Sequence, residues 1–173
     1  MSGSLRSAGH AVVLATGTTA TVPDVPGLRG TLPWTSRGVT NLHEIPRRVA
    51  VIGGGVVACE SSCWPSGLGV DELTVIGSAP SLLGRNEPFA GELVRQAFED
   101  HGVRVELNAK VDRVDRVDPR DTGAGHVHGG EVTVGFGDQR ITVDEVVVAV
   151  GRTPSSADIG LASVGVDVEP SRG

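Results

Sequence analysis

Tyrosine is absent from this 173-residue chain, aromatic residues amount to 3%, and methionine occurs once. A core must therefore be built from Val, Ala, Leu and Ile, and such β-branched wealth beside 25 glycines favours short strands joined by tight turns. Basic runs are missing too. The formal charge is −6, so phosphate backbones repel the chain, and nucleic acid is not expected as a partner. Long hydrophobic runs are also lacking: Ala11–Ala15 and Val146–Val150 are strand-sized, far below the ~20 residues of a membrane-spanning helix. No membrane partner is expected. Two cysteines give no disulfide framework, and Met1 to Ser7 shows no apolar signal core behind a basic start. A cytoplasmic location is the expectation.

What the chain does have is short apolar runs and stretches that alternate. Ala11–Ala15, Val49–Ile52, Leu73–Ile76, Val103–Leu107 and Val143–Val150 read as strands. Lys110–Val117 and Glu131–Phe136 read as antiparallel partners in a meander, with a Gly/His/Asp loop between them. Pro23, Pro26, Gly27 and Gly30 mark an irregular linker. Helical content begins at Val56, and Pro65 is expected to end or kink that helix early. Pro88 to His101 predicts a second helix with Phe89, Leu93, Val94, Ala97 and Phe98 facing the core. The fold class is α/β, with a parallel sheet and an antiparallel β-meander; the strand Val49–Ile52 running into Gly53-Gly54-Gly55 and then a helix makes it a Rossmann-like three-layer nucleotide-binding domain.

The sharpest local feature is Val49-Ala-Val-Ile-Gly53-Gly54-Gly55-Val56-Val57-Ala58, a buried strand entering G-x-G-x-x-A and then a helix. Gly53 lets the chain turn off the strand, Gly55 leaves the backbone bare for a pyrophosphate, and Ala58 lets the helix sit close on the sheet. The unpaired N–H groups and dipole of the helix start favour an anion. The alternative is a glycine turn that serves packing only. At the end of the next strand, where dinucleotide sites place an acid for the ribose or an arginine for a 2′-phosphate, stands Gly77. NADH against NADPH is left open.

Other residues have plainer readings. Cys59 and Cys63 read as small buried hydrophobes, with the helix start able to lower the Cys59 thiol. His126 and His128 lack a third ligand for a metal, so no metal site is expected. The charged run Lys110–Arg116 reads as the wet face of a meander strand. Glu60 is either a nicotinamide contact or a solvated helix residue.

Taken in order, these motifs resemble the class I pyridine nucleotide–disulfide oxidoreductases, the group that includes dihydrolipoamide dehydrogenase, mercuric reductase and glutathione reductase. Val12 to Gly17, with Ala15, Thr16 and Gly17, is similar to the A-T-G segment that leaves the flavin domain. Pro23-Asp-Val-Pro26-Gly27 resembles the family's linker, and Gly53 to Glu60 its nucleotide loop. Val148 to Pro154, with Gly151 and Arg152, resembles the V-G-R-x-P exit. Ser155 stands where the exit motif usually has Asn, and Val56 where some members place Tyr.

The resemblance implies a central NAD(P)H-binding domain at 48–151, a flavin-domain strand and linker at 1–47, and an exit segment at 152–173. It also implies NAD(P)H across Gly53–Ala58, its nicotinamide near Glu60 and Gly151, and hydride delivery to FAD. The family's flavin loop, C-x-x-x-x-C pair, G-D motif and dimer domain do not occur in the sequence. FAD is therefore expected only if the missing domain is supplied, and no catalytic residue is named. The chain is expected to be the middle third of a flavoenzyme acting on a small-molecule substrate, docking on a partner chain or a second copy. The alternative is a free-standing truncated homologue whose pocket is reused for non-redox small-molecule catalysis or partner binding.

Overall fold

The computed structural model describes residues 8–166, and for residues 65 and 66 the backbone alone. In chain order the elements begin with β1 (Thr18–Ala20), α1 (Ser36–Thr40), β2 (Arg48–Ile52), α2 (Val56–Leu68) and β3 (Glu72–Ile76). There follow α3 (Pro88–Asp100), β4 (Arg104–Glu106), β5 (Val111–Arg116), β6 (Val132–Phe136), β7 (Gln139–Val143), β8 (Glu145–Val148) and β9 (Arg152–Pro154). Two compact units result: residues 20–151, and the flanking residues up to 19 together with those from 152 onward. Among the described residues no helix is long and apolar enough to cross a membrane.

The larger unit has three layers. Its central sheet has the order β4-β3-β2-β8, and each neighbouring pair is parallel, with Ile52 opposite both Ile76 and Val148. A second sheet, β5-β6-β7, is an antiparallel meander. Alternation along the central strands decides which layer each side chain meets. Ala50, Ile52, Ile76, Val146 and Val148 pack with meander residues such as Val114, Val134 and Phe136. Val49, Val51, Leu73, Val75 and Val147 pack on the other face with Ala58, Leu82 and Phe98. The α/β expectation, with its parallel sheet and meander, is met.

In the flanking unit β1 pairs with β9. The Arg152 guanidinium donates to the Thr18 hydroxyl at 2.5 Å and the Thr18 carbonyl at 2.7 Å.

Several local expectations are corrected. Ala11–Ala15 is not a strand and is solvent-exposed; no described strand runs beside it to take its backbone groups, and pairing begins at Thr18. The helix after the glycines is not cut at Pro65 but runs to Leu68. A proline in the last turn forfeits one bond, to the Ser61 carbonyl, and one further turn completes the element. On α3, Phe89, Leu93 and Ala97 are exposed. The helix instead lies on a line through Gly91, Val94 and Phe98, because at Gly91 it closes so tightly on the Leu82 carbonyl that any Cβ would overlap it. The stretch after Pro26 is packed rather than loose: a 3-10 turn, Leu28–Thr31, buries Leu28 completely in the meander core. The strand expected at 143–150 is two elements, β7 ending at Val143 and β8 starting at Glu145. A bulge between Val111 and Arg113 breaks the alternation of β5, so Arg116 turns inward instead of lining a wet face.

Candidate functional site

Strands β2, β3 and β8 all end at the edge where the glycine loop leaves the sheet. Gly53 donates its N–H to the Ile76 carbonyl at 2.9 Å, and Ala149 donates to the Ile52 carbonyl at 2.9 Å, so the turn is gripped from both sides. At Gly53 φ is +136°, a Cβ would overlap the Ala149 carbonyl oxygen, and Ala58 Cβ lies 3.4 Å from that position. Only glycine fits here, and only a small residue fits at the fully buried Ala58. Gly54 accepts the Leu83 N–H at 2.8 Å, which lays the loop after β3 alongside it.

Gly55 differs from both neighbours. It is exposed, and a Cβ built on it meets nothing within 4 Å. Its carbonyl accepts the Cys59 N–H at 3.0 Å, the first bond of α2, so the N–H groups of Val56, Val57 and Ala58 have no acceptor inside the helix. Val56, Val57 and Glu60 are exposed on this first turn. The pattern is packed at Gly53, open at Gly55 and packed at Ala58.

Gly77 is buried beside this loop. Its amide donates to the Glu106 carbonyl at 2.8 Å, and a Cβ there would sit 3.3 Å from Leu107 Cδ2 and 3.8 Å from Gly54 Cα. Gly151 is exposed and accepts the Thr21 N–H at 3.0 Å. Gly53, Gly54, Gly55, Val56, Val57, Ala58, Glu60, Gly77 and Gly151 thus all fall in the larger unit, whereas Ala15, Thr16, Gly17 and Arg152 fall in the flanking one.

The cysteines differ from each other. Cys59 is buried, and burial, with Cys63 and Glu60 adding, pushes its thiol up to about 11; the helix start does not lower it. Cys63 is exposed, which corrects its reading as a buried hydrophobe. Among the described residues no group of three or more His, Cys, Asp or Glu is arranged to hold a metal.

A buried ionic cluster escaped the sequence reading. Arg116 and Glu145 pair with both side chains fully buried. Arg116 also donates to the carbonyls of Thr31 (2.9 Å), Gly130 (3.2 Å) and Asp144 (3.2 Å). Glu145 accepts the N–H groups of His128 (3.1 Å) and Val146 (3.0 Å). Burial nonetheless pushes the Glu145 carboxyl up to about 7, against the pull of Arg116. One acid inside the valine run Glu145–Val148 was the available signal, since a carboxylate in a buried strand needs a partner.

The family model described as pyridine nucleotide-disulphide oxidoreductase matches residues 4–173. A mercuric reductase from Shigella flexneri is 32% identical over 158 residues, covering 91% of this chain and 26% of that protein. A dihydrolipoyl dehydrogenase from Chlamydia trachomatis is 31% identical over 159 residues, covering 91% and 32%. The Cu(II) complex of the HOCl-induced flavoprotein disulfide reductase RclA from Escherichia coli superposes with a TM-score of 0.76 at 26% identity, over 90% of this chain and 33% of that one. The chain therefore spans about a quarter to a third of the length of the relatives it matches.

Proposed function

The chain belongs to the pyridine nucleotide-disulphide oxidoreductase family, and from that premise we propose that its glycine loop seats NAD(P)H for hydride delivery to a flavin. The flavin is FAD where the family's missing flavin domain is supplied. The observation that carries this is the open backbone at Gly55, set between two positions that packing closes. A pyrophosphate over Gly55 meets free N–H groups and the positive end of a thirteen-residue helix. The residues present fit the group.

In this reading Gly53 and Ala58 hold the strand and helix at the spacing the seat requires. Val56 and Val57 flank it, and Glu60, one turn along α2, stands beside the nicotinamide together with Gly151. Gly77 borders the adenosine end. Bound NAD(P)H supplies the hydride; the protein supplies position and electrostatics. Residues 48–151 act as the nucleotide domain. The segments 1–47 and 152–173, with Ala15, Thr16, Gly17 and Arg152, are in this reading the flavin-domain strand with its linker and the exit segment. The small-molecule substrate, and any second copy or partner chain, belong to the whole enzyme.

The test is Gly55→Asp. A side chain at 55 enters open space, so the fold should survive, while a carboxylate occupies the anion seat. Calorimetric titration with NADH and with NADPH should show wild-type binding at about millimolar affinity or tighter. The variant should bind at least roughly tenfold more weakly at an unchanged melting temperature. Failure of wild type to bind either nucleotide would overturn the proposal.

A further inference from the structure

The connection between β5 and β6, residues 117–131, is far longer than a hairpin turn requires. Its middle crosses to the segment joining α1 to β2. The Gly125 carbonyl accepts the N–H groups of His43 (2.9 Å) and Glu44 (3.0 Å). Glu44 Oε2 accepts the Val127 N–H at 3.1 Å, and the His126 carbonyl accepts the Trp34 indole N–H at 2.8 Å. The fit is close, since a Cβ on Gly125 would overlap the Asn41 carbonyl oxygen. Over these bonds the imidazoles of His43 and His126 stack, with ring centroids 5.1 Å apart and planes 15° from parallel.

We propose that this loop is a clasp that acid releases, with the stacked His43–His126 pair as its trigger. Neutral imidazoles stack comfortably, whereas two imidazolium rings at that separation repel. His43 is exposed and His126 half-buried, so protons reach both.

The charged groups around the pair come from every neighbouring segment. The α1–β2 connection brings Glu44, which is committed to the Val127 N–H, and Arg47, which pairs with Asp71 at 2.7 Å. α1 carries Arg37, and the loop itself carries Arg120, Asp121 and His128, of which Asp121 acts electrostatically on His128, as His126 does. Beneath His128 lies the Arg116–Glu145 pair. Of these, the carboxylates Glu44 and Asp121 already accept the Val127 and Gly123 N–H groups and share the surroundings with Arg37 and Arg120, so they do not balance two imidazolium charges.

His128 anchors the base of the loop. It is buried, its Nδ1 lies 3.0 Å from the Thr122 hydroxyl, and its N–H bonds Glu145. Burial, with Arg116 adding, holds its imidazole below the ordinary value, so the anchor favours its neutral form. Release is therefore local, lifting residues 123–127 off Trp34. Release frees the Trp34 indole N–H from the His126 carbonyl.

The test uses a Trp64→Phe background, in which Trp34 is the one remaining tryptophan. Amide exchange at 125–127, corrected for intrinsic chemistry, should lose roughly tenfold protection between about pH 7.5 and about pH 5.5, and Trp34 should become more accessible to acrylamide. His43→Gln, neutral at every pH, should abolish both changes. Unchanged protection in the parent, equal loss in His43→Gln, or parallel loss in the β2 and β3 amides would each overturn the clasp, the last by showing global acid unfolding.

Discussion

Two apolar pentapeptides of nearly the same composition, Ala11–Ala15 and Val146–Val150, meet opposite fates. Val146, Val147 and Val148 are 0%, 1% and 1% exposed, while Val12, Val13 and Leu14 are 73%, 87% and 52% exposed. The difference lies in the neighbours. Val146 to Val148 pair with β2 along one edge and bridge Trp34 along the other, where Trp34 donates to the Val146 carbonyl at 2.8 Å and accepts the Val148 N–H at 2.7 Å. Helices cover one face of that strand and the meander covers the other. Residues 11–15 have no described strand beside them. Hydrophobicity qualifies a segment for a sheet, but a partner with free backbone groups places it there.

The comparison is broken most severely at Glu145, which opens the buried strand. Glu145→Leu leaves the Arg116 guanidinium buried without any acceptor at that position, a loss of about 3–5 kcal/mol by analogy with severed buried pairs, measurable by urea unfolding near pH 7.5. Glu145→Gln keeps the shape of the protonated acid and is the milder change. The pH dependence has a definite sign. The folded carboxyl is raised to about 7, above its unfolded value, so the native state holds the extra proton. That contribution to stability is full below about pH 4.5 and is lost as pH rises toward 7. Wild type should lose stability across this window, and Glu145→Gln should lack the slope attributable to this group. A flat wild-type profile combined with a mild Glu145→Leu would place the cluster in solvent.

A smaller break is Val147→Ala. It removes two methyl groups from a packed face and should cost about 2 kcal/mol, transfer and cavity together. A loss below about 0.5 kcal/mol would mean that β8 is as loosely held as the exposed run.

These contrasts also explain what was legible in the sequence. Val49–Ile52 and Leu73–Ile76 were readable because both faces of a parallel strand are covered, and an apolar run bounded by turns says so by itself. The glycine loop was readable because each small residue answers a separate local demand, and the structure packs Gly53 and Ala58 while leaving Gly55 bare. The helix from Pro88 was found, but its buried line was not. Phe89 and Leu93 outweighed Gly91 in an apolar count, whereas the contact runs where the smallest side chain permits the closest approach. Arg116 was misplaced because a single bulge shifts the register of β5. The His43–His126 stack joins residues 83 positions apart, and nothing local announces it. Apart from the run of α2 past Pro65, what depends on one segment is legible in the sequence, and what depends on which segments meet is not.

The gentlest test acts on the exposed run itself. Val12→Ser with Val13→Ser replaces two side chains that already face solvent, so folding stability should change by less than about 0.5 kcal/mol. Self-association should fall, because the substitutions dissolve an apolar patch. Equilibrium unfolding reads the first effect, and sedimentation over a concentration series reads the second. A loss of more than about 1 kcal/mol would mean that residues 11–15 find packing partners in solution, erasing the contrast with β8. Unchanged stability with reduced association would instead show that this segment's hydrophobicity serves contact with something other than its own fold.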